Sequence, residues 1–260
     1  MAPEALNNLK VLEFAREVSG PYCGKLFADL GAEVIKVEPP EGDPSRSYGP
    51  FPDNTAHPEK SALFLYLNTN KKGVTLDLNQ DEGRKRFGEL VQWADLLIDN
   101  HPPEVLEKNG FGWDPLQRLN PGLIYVSITP YGRTGPRSKV MGDELTVVHG
   151  GALANLLPAR SMDINLPPVK MGGYFAGYHG GLTAALAGLA LFIGQEDNKI
   201  GRVVDISLEE VMLALVSPVI ASTRYHGTTW SRVPDRPPAM GRMETSDGYI
   251  VLGAADDHHF

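Results

Sequence analysis

Apolar residues in the first part of the chain fall into short runs on either side of a helix-period stretch. Val11, Leu12 and Phe14 form the first run, a turn follows at Gly20–Pro21, residues 22–30 have helical spacing, and Gly31 stops them. A second run, Val34, Ile35 and Val37, ends in Pro39 and Pro40. Strand, helix, strand over residues 9–40 is a βαβ unit, which requires parallel strands joined by a crossover helix. The alternation continues. Residues 63–67 and 74–78 read as short apolar strands around the polar loop 68–73, which places Lys71 and Lys72 between two strands. Residues 81–93 have helical spacing, with Phe87, Leu90, Val91 and Ala94 on one face and Asp81 and Glu82 at the start, where acids suit a helix N-terminus. A strand at 96–98, a short helix at 104–108 and a strand at 123–128 follow, the last leading into the turn-rich loop 129–136. Further on, 144–157 and 174–192 read as helices rich in small residues. A polar turn covers 195–201, a short strand 203–206, a helix 208–219, an irregular Pro-rich segment 223–240 and a strand 248–253. The pattern predicts an α/β fold, a Rossmann-like parallel sheet flanked by helices.

At 260 residues the chain can bury a sizeable core, and Asp plus Glu (32) exceed Lys plus Arg (24), for a net charge of −8. An acidic balance argues against general nucleic-acid binding but leaves room for an anionic small molecule, which a few local cations can hold. Cys23 is the only cysteine, so no disulfide forms within the chain, and a reduced, cytoplasmic setting is expected. Residues 1–8 lack the apolar core of a secretory signal. The most apolar stretch, 182–193, is too short to span a bilayer and reads as a buried helix, so no membrane association is expected.

The βα turn lacks a dinucleotide fingerprint, and neither a P-loop nor a nucleophile elbow is present. His149, His179, His226 and the pair His258–His259 have no metal-ligand spacing, so no metal is expected. Polar and basic residues instead gather at strand ends: Arg16 after the first strand, Asn68 and Lys71 in the next loop, Asn100 and His101 after the strand at 96–98 with Lys108 beyond, and Thr129, Tyr131 and Gly132 after the strand at 123–128. Singly these are ordinary solvated loop residues. Together they fit an anion site in the crevice that α/β sheets form at the carboxyl ends of their strands. Asp143 and Glu144, ahead of an apolar helix, suit either helix capping or acid/base chemistry. Trp93, Trp113, Tyr125 and Tyr131 read as core or pocket lining.

Several segments carry a resemblance to a known family. They are Val11-Leu-Glu-Phe with Gly20-Pro21, then Phe27-Ala-Asp-Leu-Gly-Ala-Glu-Val-Ile-Lys-Val-Glu38, and Asn68-Thr-Asn-Lys71 with Leu76-Asp-Leu78. Ala94-Asp95 with Asp99-Asn100, Leu119-Asn-Pro121 with Tyr125-Val-Ser127, Tyr131-Gly with Gly135-Pro136, and Asp247-Gly-Tyr249 continue the series in order. In these the chain resembles the family III CoA-transferases, the group of formyl-CoA transferase, carnitine CoA-transferase and α-methylacyl-CoA racemase. The resemblance implies a large Rossmann-like domain, placed here at 1–222, and a linker and the start of an incomplete small domain at 223–260. It implies two interlocked family III subunits, as a homo- or heterodimer. It implies CoA or acyl-CoA as substrate rather than as a covalently bound cofactor, an organic acid as co-substrate, and CoA contacts at Arg16, Asn68, Lys71, Asp99, Asn100, His101, Lys108, Thr129, Tyr131 and Gly132. In the family an aspartate attacks the thioester. The resemblance puts that position at Tyr174, in Met171-Gly-Gly-Tyr-Phe-Ala-Gly177, and a phenol cannot form the anhydride. Three readings follow: the CoA-binding, non-nucleophile subunit of a heteromeric transferase, such as one acting on aromatic succinates; a stand-alone acyl-CoA racemase, isomerase or lyase with Asp143 or Glu144 as base; and a non-catalytic binding or assembly paralogue.

Overall fold

A computed structural model describes residues 5–158, 163–195, 200–227, 229, 232 and 240–253. Its centre is a six-stranded sheet of β1 (Lys10–Phe14), β2 (Glu33–Glu38), β3 (Lys72–Thr75), β4 (Leu96–Asp99), β5 (Ile124–Thr129) and β6 (Arg202–Ser207), in the order β3-β2-β1-β4-β5-β6 with every pair parallel. Alternate residues serve opposite faces, as the pleat demands. Val11, Leu96, Ile98, Ile124, Val126 and Ile128 face α1 (Ser19–Asp29) and α7 (Phe175–Gly194). Leu12, Leu97 and Tyr125 face the other way, toward α3 (Asp81–Trp93), α4 (Glu104–Lys108) and α5 (Trp113–Leu119). The βαβ unit runs as the pattern predicts, and Gly31 ends α1 with a φ of 97° that disfavours a side chain.

Other elements differ from the pattern. Residues 63–67 are not a strand but most of α2 (Ala62–Leu67). Ser61 caps it by accepting from Phe64 N, while Phe64 and Leu67 turn inward and Leu65 and Tyr66 stay exposed, a helical and not an alternating pattern. Lys72 opens β3 instead of lying in a loop. The helix read at 144–157 stops as α6 (Glu144–Gly150), because Ala152 takes a left-handed φ of 62°. The helix read at 208–219 divides into α8 (Leu208–Leu215) and α9 (Ser217–His226), where Pro218 cannot continue the hydrogen-bond ladder. Helix α9 crosses position 222 and ends at Gly227 (φ 67°). Strand β7 (Met240–Thr245) pairs antiparallel with β8 (Gly248–Gly253). Residues 196–199, most of 228–239, and His258 and His259 lie outside the described residues.

Helix α7 runs through 20 residues and is the one described helix long and apolar enough to cross a membrane, so length does not exclude a span as residues 182–193 alone suggested. Its small-residue face is packed in the fold. A Cβ on Gly181 would lie 2.5 Å from Ser19 O on α1, and one on Gly188 would lie 2.9 Å from Leu96 Cδ1 on β4.

Candidate functional site

The strand order reverses direction between β1 and β4, and the chains leaving these two strands diverge into a crevice. Arg16 leaves β1 there, exposed, followed by Glu17 in a left-handed conformation (φ 61°). Asn100 leaves β4 and fixes this turn: its Oδ1 accepts from Arg16 N (2.9 Å), and its Nδ2 donates to Arg16 O (2.7 Å) and Ser19 Oγ (3.1 Å). Glu17 N donates to Asp43 Oδ1 (3.0 Å), which offsets the strain of its backbone. Asn100 therefore shapes the crevice through Arg16 and uses its own amide in doing so.

Beneath the turn lies a buried charge cluster. Lys36 Nζ contacts Glu13 Oε1 (3.0 Å), Asp43 Oδ2 (2.9 Å) and Ala15 O (2.8 Å). Lys71 Nζ contacts Glu13 Oε2 (2.7 Å), Pro21 O (2.7 Å) and Asn68 Oδ1 (2.9 Å). Two carboxylates face two ammonium groups, so the cluster is neutral, and it ties β1, β2 and the 68–71 loop to the turn. Lys71 is thus an interior cation and not a surface one, and Asn68 is a brace whose Nδ2 donates to Phe64 O (2.9 Å). Burial would depress the Lys36 pKa, but Glu13 and Asp43 outweigh it and hold Lys36 above the ordinary lysine value. Burial does depress Lys71, to about 8, against the pull of Glu13. An unfolded lysine keeps its proton to about pH 10.4. Between about pH 8 and 10 the unfolded chain therefore binds more protons at this position, and the Lys71 contribution to stability rises with pH. Urea unfolding of the wild type against Lys71→Met should show the difference in midpoint moving in favour of the wild type from pH 7.5 to 9.5.

Asp99, at the end of β4, is buried and does not reach the surface. Its Oδ1 accepts from His101 N (2.9 Å) and His101 Nδ1 (3.0 Å), and its Oδ2 accepts from Tyr125 OH (2.8 Å). Arg133 donates in turn to Tyr125 OH (3.0 Å). Burial and the Asp99 charge push the Tyr125 phenol well above its ordinary value, so it stays a donor. The His101 ring stacks on Phe14 at 4.3 Å, and with Arg16, Val37 and Pro39 it lines a cavity of about 110 Å³ at the crevice. Lys108 is exposed at the carboxyl end of α4. A larger cavity of about 490 Å³, lined by Ile35, Val74, Leu76 and Trp93, lies at the β2–β3 edge and includes none of the candidate residues.

Thr129, at the end of β5, is buried, and its Oγ1 has no hydrogen-bond partner among the described residues. The following loop is held by Asp205 on β6, which accepts from Arg133 N through both oxygens (3.0 and 2.9 Å) and faces Gly132 (φ 81°). Tyr131 is half-buried under the Arg137 guanidinium.

Tyr174 caps α7 without a side-chain hydrogen bond, and its ring lies parallel to Tyr48 with centroids 6.4 Å apart. One helical turn on, Tyr178 meets Tyr22 (4.8 Å) and Tyr66 (6.5 Å). Five of the nine tyrosines thus border this helix start. Burial raises the phenols of Tyr48 and Tyr178, so both remain neutral. The two nearby acids are caps. Asp143 forms a capping box with Thr146, and that hydrogen bonding holds its carboxyl below the usual range. Glu144 reaches across to α7, where its two oxygens accept from Ala176 N (2.7 Å) and Gly177 N (3.2 Å). The carboxylate thus occupies the positive end of the helix dipole that an incoming anion would use. Lys170 ties down the approach to Tyr174 by donating to Met171 O and Gly173 O (2.8 Å each).

The crevice thus brings together Arg16, Asn100 and His101. Asn68, Lys71, Asp99 and Thr129 lie inside, as supports. The sequence reading missed Glu13, Lys36 and Asp43, which hold the turn, and Tyr48, which faces Tyr174. Among the described residues no cluster of His, Cys, Asp or Glu could hold a metal ion.

The sequence profile described as CoA-transferase family III matches residues 6–260. The chain belongs to this family. It is 35% identical over 265 residues to the succinyl-CoA–D-citramalate CoA-transferase of Chloroflexus aurantiacus, an alignment that covers 99% of this chain and 63% of that protein. It is also 35% identical over 204 residues to the subunit BbsE of the succinyl-CoA:(R)-benzylsuccinate CoA-transferase of Thauera aromatica, covering 78% of this chain and 48% of that one. Among solved structures, a CAIB/BAIF family protein from Brucella suis superposes with a TM-score of 0.85 at 31% identity, over 98% of this chain and 67% of that one. The chain spans less than two thirds of the length of these curated relatives. Both curated relatives and the fold agree with the family III resemblance and with the parallel α/β sheet read from the sequence.

Proposed function

We propose that this chain is a CoA-binding subunit of a family III CoA-transferase that moves CoA between organic acids, and that the attacking carboxylate comes from a second family III subunit. One observation carries the reading: the segment 168–177, which leads into α7, contains no acid, and Glu144, the one carboxylate among the described residues that hydrogen-bonds to it, has both oxygens engaged by backbone N–H groups. A one-residue change of register, from Tyr174 to Gly173, leaves the position equally without a carboxylate. A nucleophile must offer a free lone pair to the thioester carbon, and a carboxylate that caps a helix through both oxygens is poorly placed to do so. The same geometry counts against a stand-alone racemase or lyase, because Asp143 and Glu144 are both caps and neither is free to take a proton.

In this reading CoA enters at the switch point. Arg16, an exposed cation with no side-chain partner among the described residues, meets its phosphates, and the slot beside His101 takes the nucleotide end. Lys108 and the 129–132 loop flank the path, and the tyrosine-bordered start of α7 suits an acid with an aryl or other apolar group. The subunit named BbsE, a relative over 78% of this chain, supports a heteromeric assembly. The purified chain, given an acyl-CoA and an acceptor acid, should show no CoA exchange, and exchange should appear when a family member carrying the aspartate is added. Exchange by the isolated chain overturns the reading. Arg16→Ala should weaken CoA binding about tenfold by calorimetry, the scale of one lost charge-assisted contact. An absence of CoA binding by the wild type would favour the non-catalytic paralogue.

A further inference from the structure

We propose that Lys170 is a specificity-determining residue whose ammonium group pairs with a second, non-reacting carboxylate of the acid, so that the start of α7 takes dicarboxylic acids. The inference rests on the reading that this chain binds CoA thioesters, and it names the class of acid they carry. A lysine brings a full charge and three donors. Two donors of Lys170 go to carbonyls of its own turn, Met171 O and Gly173 O (2.8 Å each). Among the described residues no carboxylate pairs with the ammonium and no acceptor meets its third donor. The two acids at the start of α6 are committed elsewhere: Asp143 accepts from Thr146 N (2.8 Å), and Glu144 accepts from Ala176 N and Gly177 N. Water can solvate the free ammonium, but a ligand that covers the turn and displaces that water has to supply an anion in its place.

The cation is held in place beside open space. Arg232, itself buried, donates to Ile164 O (3.0 Å) and Leu166 O and so anchors the segment that leads to Lys170. The turn that the ammonium bridges contains Gly172 and Gly173, the latter at a φ of 70°, and a Cβ on either would meet nothing within 4 Å. Tyr174 follows at once, with its ring parallel to that of Tyr48. A fixed positive charge thus adjoins an aromatic wall, which suits an acid with an apolar body and a charge at its far end. The paired anion is not the reacting carboxylate. CoA transfer turns that group into a neutral thioester, so a cation placed on it would favour the free acid over the thioester and hold back the exchange. A second carboxylate keeps its charge in both, and Lys170 holds it equally in each.

Calorimetry of the purified chain with CoA, with S-carboxypropyl-CoA, a thioether that cannot exchange, and with the carboxamide of the same thioether tests the assignment. The carboxamide keeps the shape of the carboxylate and loses its charge. The wild type should bind the carboxylate about tenfold tighter than the carboxamide, the scale of one charge-assisted contact. Lys170→Met, which keeps much of the side-chain length, should bring that ratio to within about twofold, and Lys170→Arg, which keeps the charge, should retain a ratio of about threefold or more. The wild-type ratio should shrink as salt is raised, and the ratio in Lys170→Met should not respond. A wild type that binds both thioethers equally overturns the proposal without recourse to any variant. So does a Lys170→Met that weakens all three ligands alike with the ratio intact, because the ammonium would then brace the turn or meet a phosphate common to all three. Either result leaves the CoA reading standing, whereas a wild type that binds none of the three ligands sinks that reading and this proposal with it.

Discussion

Replacing Glu13 with alanine should lower the stability of the chain by about 3–5 kcal/mol, the usual cost of removing one partner from a buried ion pair. Among the described residues Glu13 is the one carboxylate that contacts both buried lysines, at 3.0 Å from Lys36 and 2.7 Å from Lys71. Without it Lys36 keeps Asp43, but among the described residues Lys71 keeps as hydrogen-bond partners the carbonyl of Pro21 and the amide oxygen of Asn68. A nearly buried ammonium with two neutral acceptors is poorly compensated. The site has also been built around the carboxylate: a Cβ on Gly24 would lie 1.9 Å from Glu13 Oε2, so α1 approaches β1 only because that position is glycine. Urea unfolding measures the loss. The double variant Glu13→Leu with Lys71→Met removes the orphaned charge with the pair and should be less destabilised than Glu13→Ala. A loss below about 1 kcal/mol for Glu13→Ala would mean that water reaches the cluster.

Gly181→Ala should cost about 1–3 kcal/mol, against the general advantage of alanine over glycine inside a helix. The added methyl would sit 2.5 Å from Ser19 O and 3.2 Å from Cys23 N, backbone atoms that no rotamer change can move aside. Helices α1 and α7 would have to separate. The start of α1 holds the Arg16 turn through Asn100 and Ser19, and the start of α7 carries Tyr174, so both ends of the proposed CoA path would shift. CoA affinity should fall along with stability. Gly194→Ala, in the same helix with no atom within 4 Å of its Cβ, is the control and should be close to neutral in both measurements.

The fold was readable because the strands of a parallel sheet are near-continuous apolar runs and the helices between them carry clear stops, as Gly31 shows. Residues 63–67 were misread because five apolar residues in a row look alike in a strand and a short helix; Ser61, two positions earlier, was the cap that could have separated them. The crevice itself was half readable. Charge at strand ends pointed to Arg16, Asn100 and His101, but it could not separate an exposed cation from a buried one, so Lys71 looked like a phosphate contact and is an interior ion pair. The counter-signal lay in the strand alternation. Glu13 is two residues from Val11 and Lys36 two from Val34, which puts an acid and a base on the face that α1 and α7 cover. Opposite charges on one buried face have to meet, and that inference was available from the sequence. The reach of Glu144 from α6 to α7 was not, because it depends on how two helices far apart in the chain dock.

Intact-mass analysis after a brief reaction with acyl-CoA is the most direct test of whether this chain supplies the attacking group. The chain should be mixed with an aspartate-bearing family member, quenched in acid, and both polypeptides weighed. The account predicts that this chain keeps its unmodified mass while its partner gains the mass of an acyl group or of CoA. A covalent acyl or CoA adduct on this chain, above all one lost in Glu144→Gln, would contradict it.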